Sequence, residues 1–79
     1  MTNAYLIIVN QKNSARIPVS WENDEITQGN ALFNILTNDS QFNWLDDNTI
    51  MEVFLANDTS VRCDAYINHH NKKVMLDID

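Results

Sequence analysis

The segment Tyr5-Leu6-Ile7-Ile8-Val9 decides how this chain folds. It is a continuous apolar run rich in β-branched residues, and such a run is typical of a strand that is buried on both faces. A strand of this kind needs apolar cover on each side of its sheet. The segment therefore predicts a sheet protein in which cover for two faces has to be found.

The residues that follow predict a hairpin at the start of the chain. Gln11 to Ala15 is polar and turn-like, and Arg16 to Trp21 has the composition of a second strand. Pro18 lies inside this strand and has no N–H for a ladder hydrogen bond, so the strand belongs at a sheet edge or begins near the proline. We expect the two strands to pair.

A helix is predicted after the hairpin. Asn23 or Asp24 can cap it, and it runs to about Thr37. Gly29 weakens the first turns by about 1 kcal/mol relative to alanine, which favours a later start. The alternative starting residues are Thr27 and Asn30. The apolar stripe of this helix is formed by Ile26, Leu32, Phe33 and Leu36.

Three further strands are predicted in the second half of the chain. Gln41 to Leu45 fits either a short strand or a loop anchored by its aromatic residues, and Asp46-Asp47-Asn48 is a turn signal. Alternating or apolar runs then indicate strands at Thr49–Ala56, Ser60–Ile67 and Val74–Ile78. The whole chain, 1–79, is predicted to be a single α+β domain. Its antiparallel sheet has about five strands in the order β-β-α-β-β-β, with one helix packed on one face.

One helix covers one sheet face and leaves the other open. Three elements are candidates for covering the second face: the aromatic loop Phe42–Leu45, a curled sheet, or another protein chain. An apolar sheet face that stays exposed is typical of an interaction surface.

Charge is distributed unevenly along the sequence. From Ile17 to Val61 there is no lysine or arginine, while the net charge of the whole chain is −6. The carboxylates in this stretch are Glu22, Asp24, Glu25, Asp39, Asp46, Asp47, Glu52 and Asp58. Charge of one sign attracts basic partners and repels nucleic acid and anionic membranes. Solvated, solubilising charge explains each carboxylate alone, and most of them are also favoured at a helix N-terminus or in a turn, but ordinary surfaces mix the two signs.

Several classes of chemistry are excluded or disfavoured. Gly29 is the only glycine, so glycine-rich phosphate loops are absent. Cys63 is the only cysteine and lies in an apolar register, which indicates a buried, unreactive thiol. His69 and His70 fall in one polar turn beside two lysines, which disfavours a metal site. We expect no enzymatic activity, no catalytic or metal-binding residue and no cofactor.

The functional hypothesis is therefore a small acidic protein-binding module. It would act as an inhibitor that docks on the basic, nucleic-acid-binding surface of a target protein in the cytoplasm, without binding nucleic acid or membrane itself. The candidate partner-binding residues are Glu22, Asp24, Glu25, Asp46, Asp47, Glu52, Asp58 and Trp44.

In size, charge and lack of cofactor the chain resembles small acidic inhibitors encoded by phages and mobile elements, including anti-CRISPR and anti-restriction proteins. That resemblance implies a host-cell cytoplasmic location. The alternative hypothesis is a non-catalytic structural or regulatory subunit that dimerises or docks through an apolar sheet face.

Overall fold

Strand β1 lies at the centre of one antiparallel sheet and contains the apolar segment Tyr5–Val9. The computed structural model describes residues 2–78. The strands are β1 (Thr2–Val9), β2 (Ser14–Glu22), β3 (Glu25–Ile26), β4 (Ile50–Leu55), β5 (Arg62–Asn68) and β6 (Lys73–Leu76). Between β3 and β4 the chain forms helix α1 (Gly29–Asn38) and a short 3₁₀ helix (Ser40–Phe42).

The strand order across the sheet is β3-β2-β1-β4-β5-β6. Strand β1 pairs with β2 on one side and with β4 on the other, so Leu6 lies between Ile17 and Val53 in register. The predicted N-terminal hairpin and the predicted meander of the last three strands are both confirmed. The α+β class with one helix is confirmed as well.

The sheet curls around a single core. Its inner face is defined by the buried residues of β1, and Leu6 and Ile8 are fully shielded from solvent. The other buried apolar residues are Ala4, Val19, Ile26, Leu32, Leu36, Phe42, Met51, Val53, Val74 and Leu76. Helix α1 packs against β6, and β3 also contacts β6, so the curled sheet nearly closes into a barrel. The aromatic loop packs against this same inner core.

The start of the helix and the strand count differ from prediction. Asn23 and Asp24 do not cap a helix; they have φ values of 52° and 63° and form the turn between β2 and β3. Ile26 is buried opposite Trp21, so burial of an apolar side chain draws this segment into a sixth strand. The helix begins at Gly29, and its N-cap residue, Gln28, makes no side-chain capping hydrogen bond.

Two ambiguous features are resolved by the structure. Gln41 to Leu45 is no strand, because it forms most of the 3₁₀ helix and the loop after it. Pro18 does lie on an open edge, since β3 pairs only with Trp21 and Glu22 and leaves the rest of β2 uncovered. The Thr27 N–H donates to Ser20 O at 3.1 Å on that side. The backbone of Pro18, two residues earlier, is directed toward the same edge but has no N–H to donate. This lack of a donor discourages the addition of another strand there.

Replacing Gly29 by alanine is expected to destabilise the fold, although alanine is the better helix former by at most about 1 kcal/mol. An added Cβ would lie 2.9 Å from the Val74 carbonyl oxygen of β6. The Asn34→Ala variant, at an exposed position of the same helix, is the matched control and should gain about 0.5 kcal/mol. Urea unfolding measures both. A stabilised Gly29→Ala protein would contradict the close helix–strand packing.

Candidate protein-binding surfaces

The turn between β2 and β3 concentrates negative charge. Glu22 and Glu25 are directly opposite each other on the two paired strands, and Asp24 lies in the turn between them. All three side chains are exposed. Like charges directly opposite on antiparallel strands are destabilising. Three carboxylates in four residues are therefore held together at the tip of a short hairpin against their mutual repulsion.

Two further carboxylates extend this charged region, which we call the acidic end. The turn that carries Asp58 joins β4 to β5, and its neighbours Leu55 and Val61 line one depression together with Glu22 and Asp24. Asp77 follows β6 and lies beside Cys63, whose thiol donates to its carbonyl oxygen at 3.4 Å. The acidic end comprises Glu22, Asp24, Glu25, Asp58 and Asp77.

The pKa of Cys63 is affected by the negative charges of the acidic end. Burial raises the pKa of the Cys63 thiol, and the charges of Asp64, Asp77 and Asp24 raise it further. Asp24 comes from the β2–β3 turn and Asp77 from the residues after β6, so the curl of the sheet brings these distant parts of the chain together. Cys63 itself packs against the core. The thiol is therefore kept in its protonated, less nucleophilic form.

Asp46 and Asp47 lie at the other end of the sheet. They precede β4, whose first residue pairs with Val9, whereas the acidic end adjoins the opposite end of β1. At about 3.4 Å per residue the two ends are roughly 20 Å apart. That exceeds the Debye length of ~10 Å at 0.1 M salt, so the two sets act on a partner as separate charges. The eight-carboxylate block of the sequence is not one surface.

At this second end the side chains hold the loop together. Asp46 accepts hydrogen bonds from the Asn48 N–H at 2.9 Å and from Thr49 Oγ1 at 3.2 Å. Trp44 is half-buried against the core, and its Nε1–H donates to the Gln41 carbonyl at 2.7 Å. The contacts of Asp46 and Trp44 therefore support the fold, and neither is near the acidic end.

Asp39, the remaining turn carboxylate of the block, has a structural role. It caps the 3₁₀ helix by accepting the Gln41 N–H at 3.1 Å and the Gln41 side-chain amide at 2.9 Å. These hydrogen bonds, the backbone one foremost, lower the pKa of Asp39. The carboxylate is thus a local helix cap.

The outward side of the central strands forms a second, chemically different surface, which we call the outer face. It comprises Tyr5, Ile7, Val9, Arg16, Pro18, Ile50, Glu52, Phe54, Arg62 and Asp64. Tyr5 and Phe54 lie 5.7 Å apart between ring centroids, and the Arg16 guanidinium lies 3.8 Å above the Tyr5 ring. Helix α1 and the aromatic loop both pack on the inner core, so neither covers this face.

Glu52 belongs to this outer face. Arg62 Nε lies 3.9 Å from Glu52 Oε2, and this is the one ion pair within residues 2–78. Its side chains are 67% and 34% exposed, so the pair contributes little to stability. Glu52 also lies directly opposite Asp64 of β5, so its surroundings on the outer face carry both signs of charge.

The two histidines lie in the turn between β5 and β6. The His69 ring makes an edge-on contact with Phe33 of α1, with centroids 5.6 Å apart. In the part of the chain that the structure describes, no three His, Cys, Asp or Glu side chains are grouped to hold a metal ion. No helix in residues 2–78 is long and apolar enough to cross a membrane.

Comparisons with known proteins add no relative. No protein-family model matches the chain, and neither the curated proteins nor the solved structures give a significant match. The surfaces themselves therefore carry the functional argument.

The sequence-predicted candidates thus fall into three groups. The structure brings Glu22, Asp24, Glu25 and Asp58 to one end of the sheet. It leaves the others apart from them: Asp46, Asp47 and Trp44 at the far end, and Glu52 on the outer face. Sequence reasoning missed Asp77 and the outer-face arginines. The alternation of Arg62 with Cys63 was the available signal for the latter, because it assigns Arg62 to the face away from the core.

Reversing one charge at the hairpin tip should stabilise the protein. In a Glu25→Lys variant the residue opposite Glu22 becomes attractive, so the free energy of unfolding should rise by about 0.2–1 kcal/mol. Urea unfolding at low salt measures the change. The control is Asp47→Lys, which introduces a lysine at an exposed position that has no cross-strand partner. An unchanged or lower stability would show that the two glutamates do not repel each other.

Cys63 should react slowly with thiol reagents in the folded protein. Its raised pKa reduces the thiolate fraction near pH 8, and packing restricts access. Labelling of Cys63, followed by mass spectrometry, should therefore be slower in buffer than in 8 M urea. The ratio of the two rates should exceed the ratio measured for a small thiol compound under the same conditions. The sign of the pKa shift also predicts that stability falls as pH rises from the ordinary cysteine pKa through the raised one. Equal labelling rates would contradict the assignment.

Proposed function

We propose that this chain is a non-catalytic protein-binding module whose acidic end docks on the basic, nucleic-acid-binding surface of another protein and blocks it. The observation that carries the proposal is the opposition of Glu22 and Glu25 around Asp24. Like charges on the paired strands oppose this arrangement, and Lys73, which lines the same depression as Asp24 and Glu25, is the cation of the neighbouring β6 strand. A basic partner would relieve the repulsion, so the energy spent on folding is recovered on binding.

The density of charge at the acidic end supports this type of partner. Directly opposed residues of antiparallel strands have Cα atoms about 4.5–5.5 Å apart. Three exposed carboxylates carried by backbone positions this close offer a basic groove several charges over a short span. Duplex DNA offers one charge per ~1.7 Å of its axis, counted over both strands. The acidic end therefore competes best for a small basic site, such as the entrance of a groove, and less well for a long one.

The proposed class of protein is the one that the sequence suggests. In this proposal the chain is an inhibitor of the kind that phages and mobile elements encode against nucleic-acid-binding defence proteins, and it acts in the cytoplasm of the host cell. The electrostatic contacts mainly set the association rate and the specificity. Asp46, Asp47 and Trp44 stand outside the docking surface in this form of the proposal, because they lie at the far end of the sheet.

The experiment compares two variants that lose the same charge. Glu22→Gln/Glu25→Gln removes two charges from the acidic end, and Asp46→Asn/Asp47→Asn removes two from the far end. Each immobilised protein is exposed to host lysate at ~50 and ~300 mM salt, and captured proteins are identified by mass spectrometry. We expect wild type and the far-end variant to retain a nucleic-acid-binding protein at low salt only. The acidic-end variant should lose it, because screening and charge removal weaken the same interaction.

Two further results bear on the mechanism. Added duplex DNA should release the captured protein if the acidic end occupies a nucleic-acid site. Circular dichroism and urea unfolding should show that both variants remain folded, and the acidic-end variant should be at least as stable as wild type. Retention of the same partner by the acidic-end variant at both salt concentrations would refute the proposal. Loss of the partner only in the far-end variant would move the docking surface to Asp46 and Asp47.

A further inference from the structure

The outer face is electrically neutral in a strongly acidic protein. Its charged residues are Arg16, Arg62, Glu52 and Asp64, two of each sign, whereas the whole chain has a net charge of −6. At its centre lie the half-buried side chains of Tyr5, Ile7 and Phe54. Two copies of this chain repel each other through most of their surface, but not through this face.

The charges on the outer face are ordered across the strands. In one row the residues from β2 to β5 are Arg16, Ile7, Glu52 and Asp64. The adjacent row is Pro18, Tyr5, Phe54 and Arg62. The first row therefore begins with a positive charge and ends with negative ones. The two ends of this row are complementary to the ends of its own reverse, while Glu52 comes to lie opposite Ile7 at the inner positions.

We propose that the outer face binds a second copy of this chain face to face, around a two-fold axis that runs parallel to the strands between β1 and β4. This axis reverses the order of each row in the second copy. The strand position of Arg16 then lies opposite that of Asp64 in the second copy, and the position of Tyr5, over whose ring the Arg16 guanidinium lies, is opposite that of Phe54 in the second copy. Each contact occurs twice, as in any isologous interface. Two sheets packed in this way keep their strands nearly aligned, which is a common sheet-on-sheet geometry.

The total accessible surface of the chain supports the covering of the outer face by a second copy. The chain has 5433 Å² of accessible surface, about a tenth more than the ~4,900 Å² typical of a monomer of its mass. A standard interface needs about 800 Å² from each partner. Ile50 at 57% and Tyr66 at 41% exposure adjoin the apolar centre and add to the area that a second copy would bury. The inference is independent of the proposed function, because the acidic end contributes no residue to this face.

Charge reversal tests the pairing directly. Sedimentation velocity from ~1 to 500 μM should show wild type moving from a mass of 9.1 kDa toward twice that value. Arg16→Asp alone and Asp64→Arg alone each place like charges opposite each other twice per dimer, and should raise the dimer Kd at least about tenfold. An equimolar mixture of the two variants restores opposite charges at both positions. The mixture should therefore form a heterodimer with a Kd near that of wild type.

Controls separate this face from other causes. Lys12→Asp makes the same charge change as Arg16→Asp but lies in the β1–β2 turn, away from the outer face, and should leave the Kd within about threefold of wild type, as expected for an isolated surface charge. Circular dichroism checks folding, and Arg16→Ala replaces Arg16→Asp if the latter unfolds, with a smaller increase in Kd.

Three outcomes would overturn the proposal. They are a wild type that stays monomeric at all concentrations, a dimer that is insensitive to both single variants, and a mixture that fails to dimerise although each variant is folded. The acidic-end variant Glu22→Gln/Glu25→Gln should dimerise as wild type does. Failure of partner capture and failure of dimerisation are thus separately visible.

Discussion

The pairing of β1 with both β2 and β4 is the constraint on which the rest of the structure depends. Leu6 and Ile8 are fully buried because strands cover β1 on both sides and the helix and loop cover its inner face. Burial of such a side chain contributes about 1.5–3 kcal/mol. In a domain of this size, that is a large fraction of the total stability. Registers, turns and the positions of surface charges all follow from this central strand.

The same strand divides the molecule into two unlike sides. Apolar residues alternate toward the inner core and toward the outer face, so one sequence run supplies both the interior and an uncovered apolar surface. The acidic end belongs to neither side. It lies where the β2–β3 turn and the residues after β6 approach each other. The neutral apolar face and the charged end are therefore distinct surfaces, and they adjoin at the β4–β5 turn, where Thr59 lines a depression with Phe54 and Arg62.

Hydrophobic pattern was sufficient for the class of fold, the N-terminal hairpin and the C-terminal meander. It failed at Asn23 and Asp24, because both residue types favour helix caps and also tolerate the left-handed backbone of a turn. Burial of Ile26 opposite Trp21 favours the turn over the helix cap, and this burial depends on tertiary packing rather than on the local sequence. The grouping of carboxylates was unpredictable for a related reason. It depends on register and sheet curl, which place Asp46 far from Glu22 although both belong to one acidic stretch of sequence.

The central position of β1 also has a consequence for synthesis on the ribosome. Its second partner strand, β4, begins about 40 residues after β1 ends. At 5–20 residues per second, β1 waits roughly 2–8 s for that partner after it has been made. During this interval one edge of β1 is unpaired, and the core still lacks Met51, Val53, Val74 and Leu76. The nascent chain is thus most exposed to chaperones and to aggregation at the segment that later becomes its most buried.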